Sequence, residues 1–166
     1  GCSTGTQPFT VQVNNPQICT QVKGWYCTNK PNITVPFTLK QGLAKTDISK
    51  AGLYSTFIKS GWNYKPHDVD IKVNENTVMS LRNTVPDGIY STAFPPSFLN
   101  YAKDGKAGNK IQVNTSHMNK AHYLVTTDFT VALALKSPIE TKVCAVDTAD
   151  AQVKAQQKVN GLSCSV

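Results

Sequence analysis

Hydrophobic and polar residues alternate along most of this chain with the period of two that sends successive side chains to opposite faces of a strand. Phe9, Val11 and Val13 interleave with Thr10, Gln12 and Asn14, and Asn14-Asn15-Pro16 stops the pattern. Ile33, Val35, Phe37 and Leu39 repeat it around Pro36; a proline donates nothing to a ladder, so this strand belongs at a sheet edge or carries a bulge. Residues 44–60 read two ways: Thr46 or Asp47 suits the cap of a short helix, whereas 54–58 is extended. Val69, Ile71 and Val73 face one way and Asp68, Asp70 and Lys72 the other; Asn74-Glu75-Asn76 then supplies a hairpin turn, and 78–81 returns. Pro86-Asp87-Gly88 predicts another turn, with 89–94 extended up to Pro95-Pro96. After a solvated loop at 103–108, Ile111 and Val113 mark a strand. The longest alternation follows, from Tyr123 through Phe129 and Val131 to Leu135, and predicts a central core strand.

Past a further strand at 139–146 the composition changes. Residues 147–160 predict the one helix, with acidic residues in its first turn, Lys158 near its end and Gly161 at the C-cap position. It lacks a strong apolar stripe, which predicts a surface helix fastened by Cys164. About eight short strands separated by Gly, Pro and Asn turns predict an all-β fold, an antiparallel sandwich with this helix at its C-terminal end. At 166 residues the chain suits one domain, here 9–166 after a polar tether at 1–8. With 40% hydrophobic and 16% charged residues it is not a disordered chain, and its longest apolar run, 131–135, is far short of a membrane helix.

Val69-Asp70-Ile71-Lys72-Val73-Asn74, answered by Gly108-Asn109-Lys110-Ile111-Gln112-Val113, resembles the paired strands of galactose-binding-like jelly rolls. The resemblance implies a jelly-roll sandwich, a scaffold that often serves as a non-catalytic glycan-binding module. The chain departs from the pattern at Asn74-Glu75-Asn76, where Asn-Gly is expected.

The five cysteines contain no C-x-x-C, so their spacing favours disulfides over a metal site, and disulfides imply an oxidising compartment. Five is odd. Gly1-Cys2-Ser3, followed by a polar stretch, resembles the end of a bacterial lipobox, which implies lipidation of Cys2 and membrane attachment through it; Gly1 is equally what tag cleavage leaves, with Cys2 a plain thiol. Setting Cys2 aside, Cys19, Cys27, Cys144 and Cys164 allow three pairings. The local one, Cys19 with Cys27 and Cys144 with Cys164, is preferred, and a crossed pairing, Cys19 with Cys144 and Cys27 with Cys164, remains open.

Catalytic constellations are sparse. His67 and Asp68 point to opposite faces of a strand, and His122 has only Asp128 as a further ligand on its face. Asp68 and Asp70 share a face with Lys72, without a partner suited to glycoside hydrolysis. No metal, cofactor or enzymatic activity is expected. The binding signal lies in the aromatic residues: Trp25 and Tyr26 in the Cys19–Cys27 segment, and Trp62, Asn63 and Tyr64 in a loop-like stretch, a combination suited to stacking on a sugar or gripping a protein. The same tryptophans would equally plug the ends of a sandwich core. The net charge of +7 is spread over single lysines with one arginine, Arg82, which argues against nucleic acid as a partner.

These features converge on a non-catalytic extracytoplasmic binding or scaffold protein of the cell envelope, periplasmic, outer-membrane-anchored or secreted, whose ligand is a glycan or an envelope protein. The alternative is a structural lipoprotein subunit of a secretion or pilus assembly whose exposed strand edge pairs with a partner. A hydrolase ranks last.

Overall fold

The computed structural model describes residues 1–27, 32–39, 42–62, 67–84, 87–101, 107–115 and 122–160. These hold ten strands and one helix: β1 (Gln7–Val13), β2 (Gln17–Cys27), β3 (Asn32–Thr38), β4 (Ile48–Trp62), β5 (His67–Val73), β6 (Asn76–Thr84), β7 (Gly88–Phe94), β8 (Gly108–Thr115), β9 (His122–Leu135), β10 (Ile139–Ala145) and α1 (Thr148–Asn160). The strands pair antiparallel in two four-stranded sheets, β2-β9-β4-β7 and β3-β8-β5-β6, and one ribbon, β1-β10. This is the all-β antiparallel sandwich with a C-terminal helix that the alternation predicts.

The core forms where the apolar faces of the two large sheets meet. Leu53, Phe57, Phe129, Val131 and Leu133 from one sheet, and Val69, Ile71, Val73, Ile111 and Val113 from the other, are all 1% exposed or less. Burying one such side chain contributes about 1.5–3 kcal/mol. Gly24 marks a close approach within this layer: a Cβ there would stand 3.1 Å from Val35 Cγ2 and 3.3 Å from Phe129 Cε2. Strand β3, with its Pro36, is an edge strand as expected.

The 69–74 and 108–113 segments are neighbours, with Ile71 opposite Val113 and Val73 opposite Ile111. The β5–β6 turn has Asn74 and Glu75 at φ 48° and 72°, the pair of positive values that a two-residue hairpin loop requires. The Asn74 side chain reaches from this turn across to β8. Its Nδ2 donates to Asn109 Oδ1 and to the Phe98 carbonyl, both at 2.7 Å, and its Oδ1 accepts the Lys110 N–H at 2.9 Å. Asn109 in turn is bonded to Asn100 in both directions, accepting its N–H at 2.8 Å and donating to its carbonyl at 3.1 Å. These asparagines bind one another and the backbone.

A second, smaller core lies between the ribbon and α1: Val11, Val13, Ala145, Ala151 and Ala155, with Phe9, Val143 and Val159 at its margin. The helix starts as its composition predicts. Asp147 Oδ1 accepts the Asp150 N–H at 2.8 Å, while Asp150 Oδ2 accepts the Val146 N–H at 3.0 Å. Its buried face is a pair of alanines one turn apart rather than an aliphatic stripe, and Lys158 Nζ donates to the Lys142 carbonyl at 2.8 Å. Cys164, expected to fasten the helix, lies outside the described residues.

The cysteine pairing differs from the local one expected. Cys2 is bonded to Cys144, with 5.5 Å between their Cα atoms and a sequence separation of 142. This corrects both the Cys144–Cys164 pairing and the lipidation of Cys2, because the sulfur an acyl group would modify is the one in the bridge. Strand β1 lies beside β10, with Pro8 opposite Cys144, so the first residues are carried to Cys144. Residues expected to form a tether are tied at Cys2, turn at Ser3–Thr6 through a 3.0 Å backbone hydrogen bond, and enter β1 at Gln7. Cys19 is also disulfide-bonded. Its expected partner Cys27 stands on the same continuous strand, where a rise of roughly 3.3 Å per residue separates the two by more than three times the reach of a disulfide, about 7 Å between Cα atoms.

Candidate functional site

The residues expected to bind ligand fall on sheet ends. Trp25 and Tyr26 are the penultimate residues of β2, in register with Thr126 and Val125 of β9, and Trp62 ends β4 opposite His122. Trp25 and Trp62 thus flank the same central strand, at register positions separated along it by about 13 Å. Asn63 and Tyr64 lie outside the described residues.

The candidate catalytic and metal groups are not brought together. His122 and Asp128 sit on one strand, and six residues of extended chain hold them roughly 20 Å apart, too far to share an ion. Asp70 accepts hydrogen bonds from Ser80 Oγ and Arg82, both at 2.8 Å, and Asp68 Oδ1 accepts the Asn83 N–H at 2.8 Å. Partial burial opposes the Asp70 charge, but hydrogen bonds from Arg82 and Ser80 and the charges of Arg82 and Lys72 outweigh it and hold this carboxyl below its ordinary value. Asp70 therefore braces the β5–β6 pair as an anion, and Asp68 braces it through the Asn83 N–H.

A different site emerges from the sheet edges. An edge strand presents unpaired backbone N–H and C=O groups, and folded proteins commonly blunt it with charge, proline or irregularity. Among the described residues six strands end a sheet. Strand β1 carries Pro8, β10 carries Glu140 and Lys142, β2 carries Lys23 and β3 carries Pro36. Strand β6 carries Arg82, two register irregularities against β5, and Asn83 at φ 50°. Strand β7, Gly88-Ile89-Tyr90-Ser91-Thr92-Ala93-Phe94, has neither charge nor proline and pairs without interruption to β4.

Its inner face anchors it firmly. Tyr90 meets Phe57 edge-to-face at 5.7 Å between ring centroids, and Phe94 stacks on Phe98 at 6.2 Å. Its outer face, Ile89, Ser91 and Ala93, continues an exposed surface on β4. Ile89 is 57% exposed and sits opposite Thr56, diagonal to Ile58, which is 58% exposed. Beside them Gly52, Ser91, Ala93, Ala132 and Ala134 are too small to fill the sheet surface and leave a shallow trough of about 380 Å³, bordered by Lys50 and Tyr54. The arrangement offers a strand to pair with, a protruding isoleucine and a depression beside it.

The 89–94 strand was legible from the turn residues that bound it, Pro86-Asp87-Gly88 and Pro95-Pro96, but its edge position was not, since that depends on strand order. No protein-family model matches the chain, and no curated protein does. Among solved structures it is similar to a chain of the acidic stable capsid of Helicobacter pylori bacteriophage KHP30, with a TM-score of 0.43 and 13% identity over 81% of this chain and 98% of that one. It is also similar to VP2 in a subviral particle of infectious bursal disease virus, with a TM-score of 0.35 and 14% identity over 86% of this chain and 37% of that one.

Proposed function

We propose that this chain is a non-catalytic structural domain that joins protein partners by strand addition at β7. The observation that carries the reading is the contrast among edges: β7 alone, among the described residues, lacks the charge or proline that blunts the other five. Strand addition supplies main-chain hydrogen bonds, and the side chains that alternate along the edge supply selectivity. Ile89 and Ile58 add apolar area that association would remove from water, at roughly 25 cal/mol per Å². The disulfide-bonded cysteines suit work in an oxidising compartment, outside the reducing cytosol.

The test uses a strand of known sequence as the partner. A fluorescent peptide reproducing residues 88–94 binds the intact chain saturably, and Ile89→Lys weakens it at least tenfold while circular dichroism stays unchanged. Absence of saturable binding up to about millimolar peptide, the weak limit of specific recognition, overturns the reading.

A further inference from the structure

We infer that the partner at β7 is a second copy of this chain, paired antiparallel about a two-fold axis through Ser91; this rests on the strand-addition reading above and names its partner. A two-fold interface must be self-complementary, because each residue meets its symmetry mate's counterpart. The strand satisfies that condition when Ser91 faces its own copy. Tyr90 then stands opposite Thr92, Gly88 opposite Phe94, and Ile89 opposite Ala93, so that each large residue meets a smaller one.

The outer face makes the match specific. In β4, Gly52 is opposite Ala93, so the partner's Ile89 would extend the row Gly52-Ala93 at the margin of the trough that Gly52, Ala93, Ala132 and Ala134 leave open. The isoleucine that is 57% exposed in one copy thus has a depression waiting beside it in the other, twice over by symmetry. Charge agrees with this register. Ala51 is opposite Phe94, which puts Lys50 in the row of Pro95, and the paired register puts Asp87 of the second copy in that same row. Lys50 and that Asp87 are two strand spacings apart, about 9.5 Å between backbones, a gap that a lysine and an aspartate together span. The result is one eight-stranded sheet running through both molecules, built from two copies of β2-β9-β4-β7.

Sedimentation of the full chain across a concentration series, in about 0.15 M salt to screen the +7 carried by each copy, reads the association. The expected mass rises from 18.0 kDa toward twice that value, and Ile89→Lys returns it to 18.0 kDa. Ser91→Cys, which sets two thiols against each other across the axis, gives a disulfide-linked dimer on mild oxidation where the parent chain gives none. A mass of 18.0 kDa at every concentration, with the 88–94 peptide still bound, overturns the second copy as partner and leaves strand addition standing. A dimer indifferent to Ile89→Lys and without the Ser91→Cys cross-link overturns the β7 placement. Loss of both peptide binding and dimer removes the two readings together.

Discussion

Asn74 Nδ2 lies 2.7 Å from Asn109 Oδ1, and through this bond the β5–β6 turn holds the start of β8. The same side chain also bonds to Phe98 and Lys110, so it clasps three segments distant in sequence. Asn74→Gly keeps the left-handed backbone and removes only the clasp. It is expected to cost about 2 kcal/mol, since Asn109 and the Lys110 N–H lose a partner where water has little access. A denaturant titration measures this; an unchanged midpoint would show that the turn conformation alone does the work.

Glu75 tests the opposite balance at the next position. Its φ of 72° is strained for any residue with a Cβ, and its ion pair with Lys110 is exposed to solvent, Glu75 by 63%. Lys110 holds the carboxyl of Glu75 below its ordinary value by hydrogen bond and charge, an effect that salt screens. Relief of strain wins. Glu75→Gly is expected to raise the melting temperature by about 2–4 °C, read by calorimetry at moderate salt.

Alkaline stability turns on Tyr101. Its hydroxyl donates to the Pro96 carbonyl at 2.9 Å, and burial pushes its pKa up from 10.0 to about 12. A raised folded-state value means the contribution is complete below pH 10 and disappears as pH rises through about 12. Tyr101→Phe should cost about 1 kcal/mol at neutral pH and flatten the fall in stability across that alkaline window. Urea titrations at several pH values compare the two slopes.

The covalent framework makes a separate prediction. Non-reducing peptide mapping should return Cys2 joined to Cys144, with Cys19 in a bridge to a cysteine other than Cys27, because β2 holds Cys27 out of reach of Cys19. Replacing Cys2 and Cys144 together by serine releases a 142-residue closure and is expected to cost about 3–5 kcal/mol. A Cys19–Cys27 peptide would contradict the continuity of β2.

Legibility followed the strength of alternation. Strands β5 and β9 were readable because every inward position in their buried stretches is aliphatic or aromatic, as at Val69, Ile71 and Val73 or Phe129, Val131 and Leu133, and β8 was readable from Ile111 and Val113 although the buried Asn109 and Thr115 flank them. Strand β2 was not. Around its inward Ile18 and Val22 come Thr20 and Gly24, and the close approach at Gly24 excludes the large residue that would have completed the pattern. The buried face of α1 escaped notice for a similar reason, since Ala151 and Ala155 let the helix lie close to the ribbon while adding little hydropathy. The cysteine pairing is not legible from spacing, because antiparallel pairing of β1 with β10 brings residues 7–13 beside 139–145 and so joins cysteines far apart in sequence. The aromatic residues drew the eye to Trp25 and Trp62, while the β7 site is defined by what its edge lacks, a property that appears only once the strand order is known.

Hydrogen–deuterium exchange of the full chain, read at residue resolution before and after saturation with the 88–94 peptide, tests the central claim most directly. Strand addition at β7 predicts protection at alternate amides within 88–94, with the edge strands β2, β3 and β6 unchanged. Protection centred on any of those other edges, or none on β7 at saturation, would contradict it.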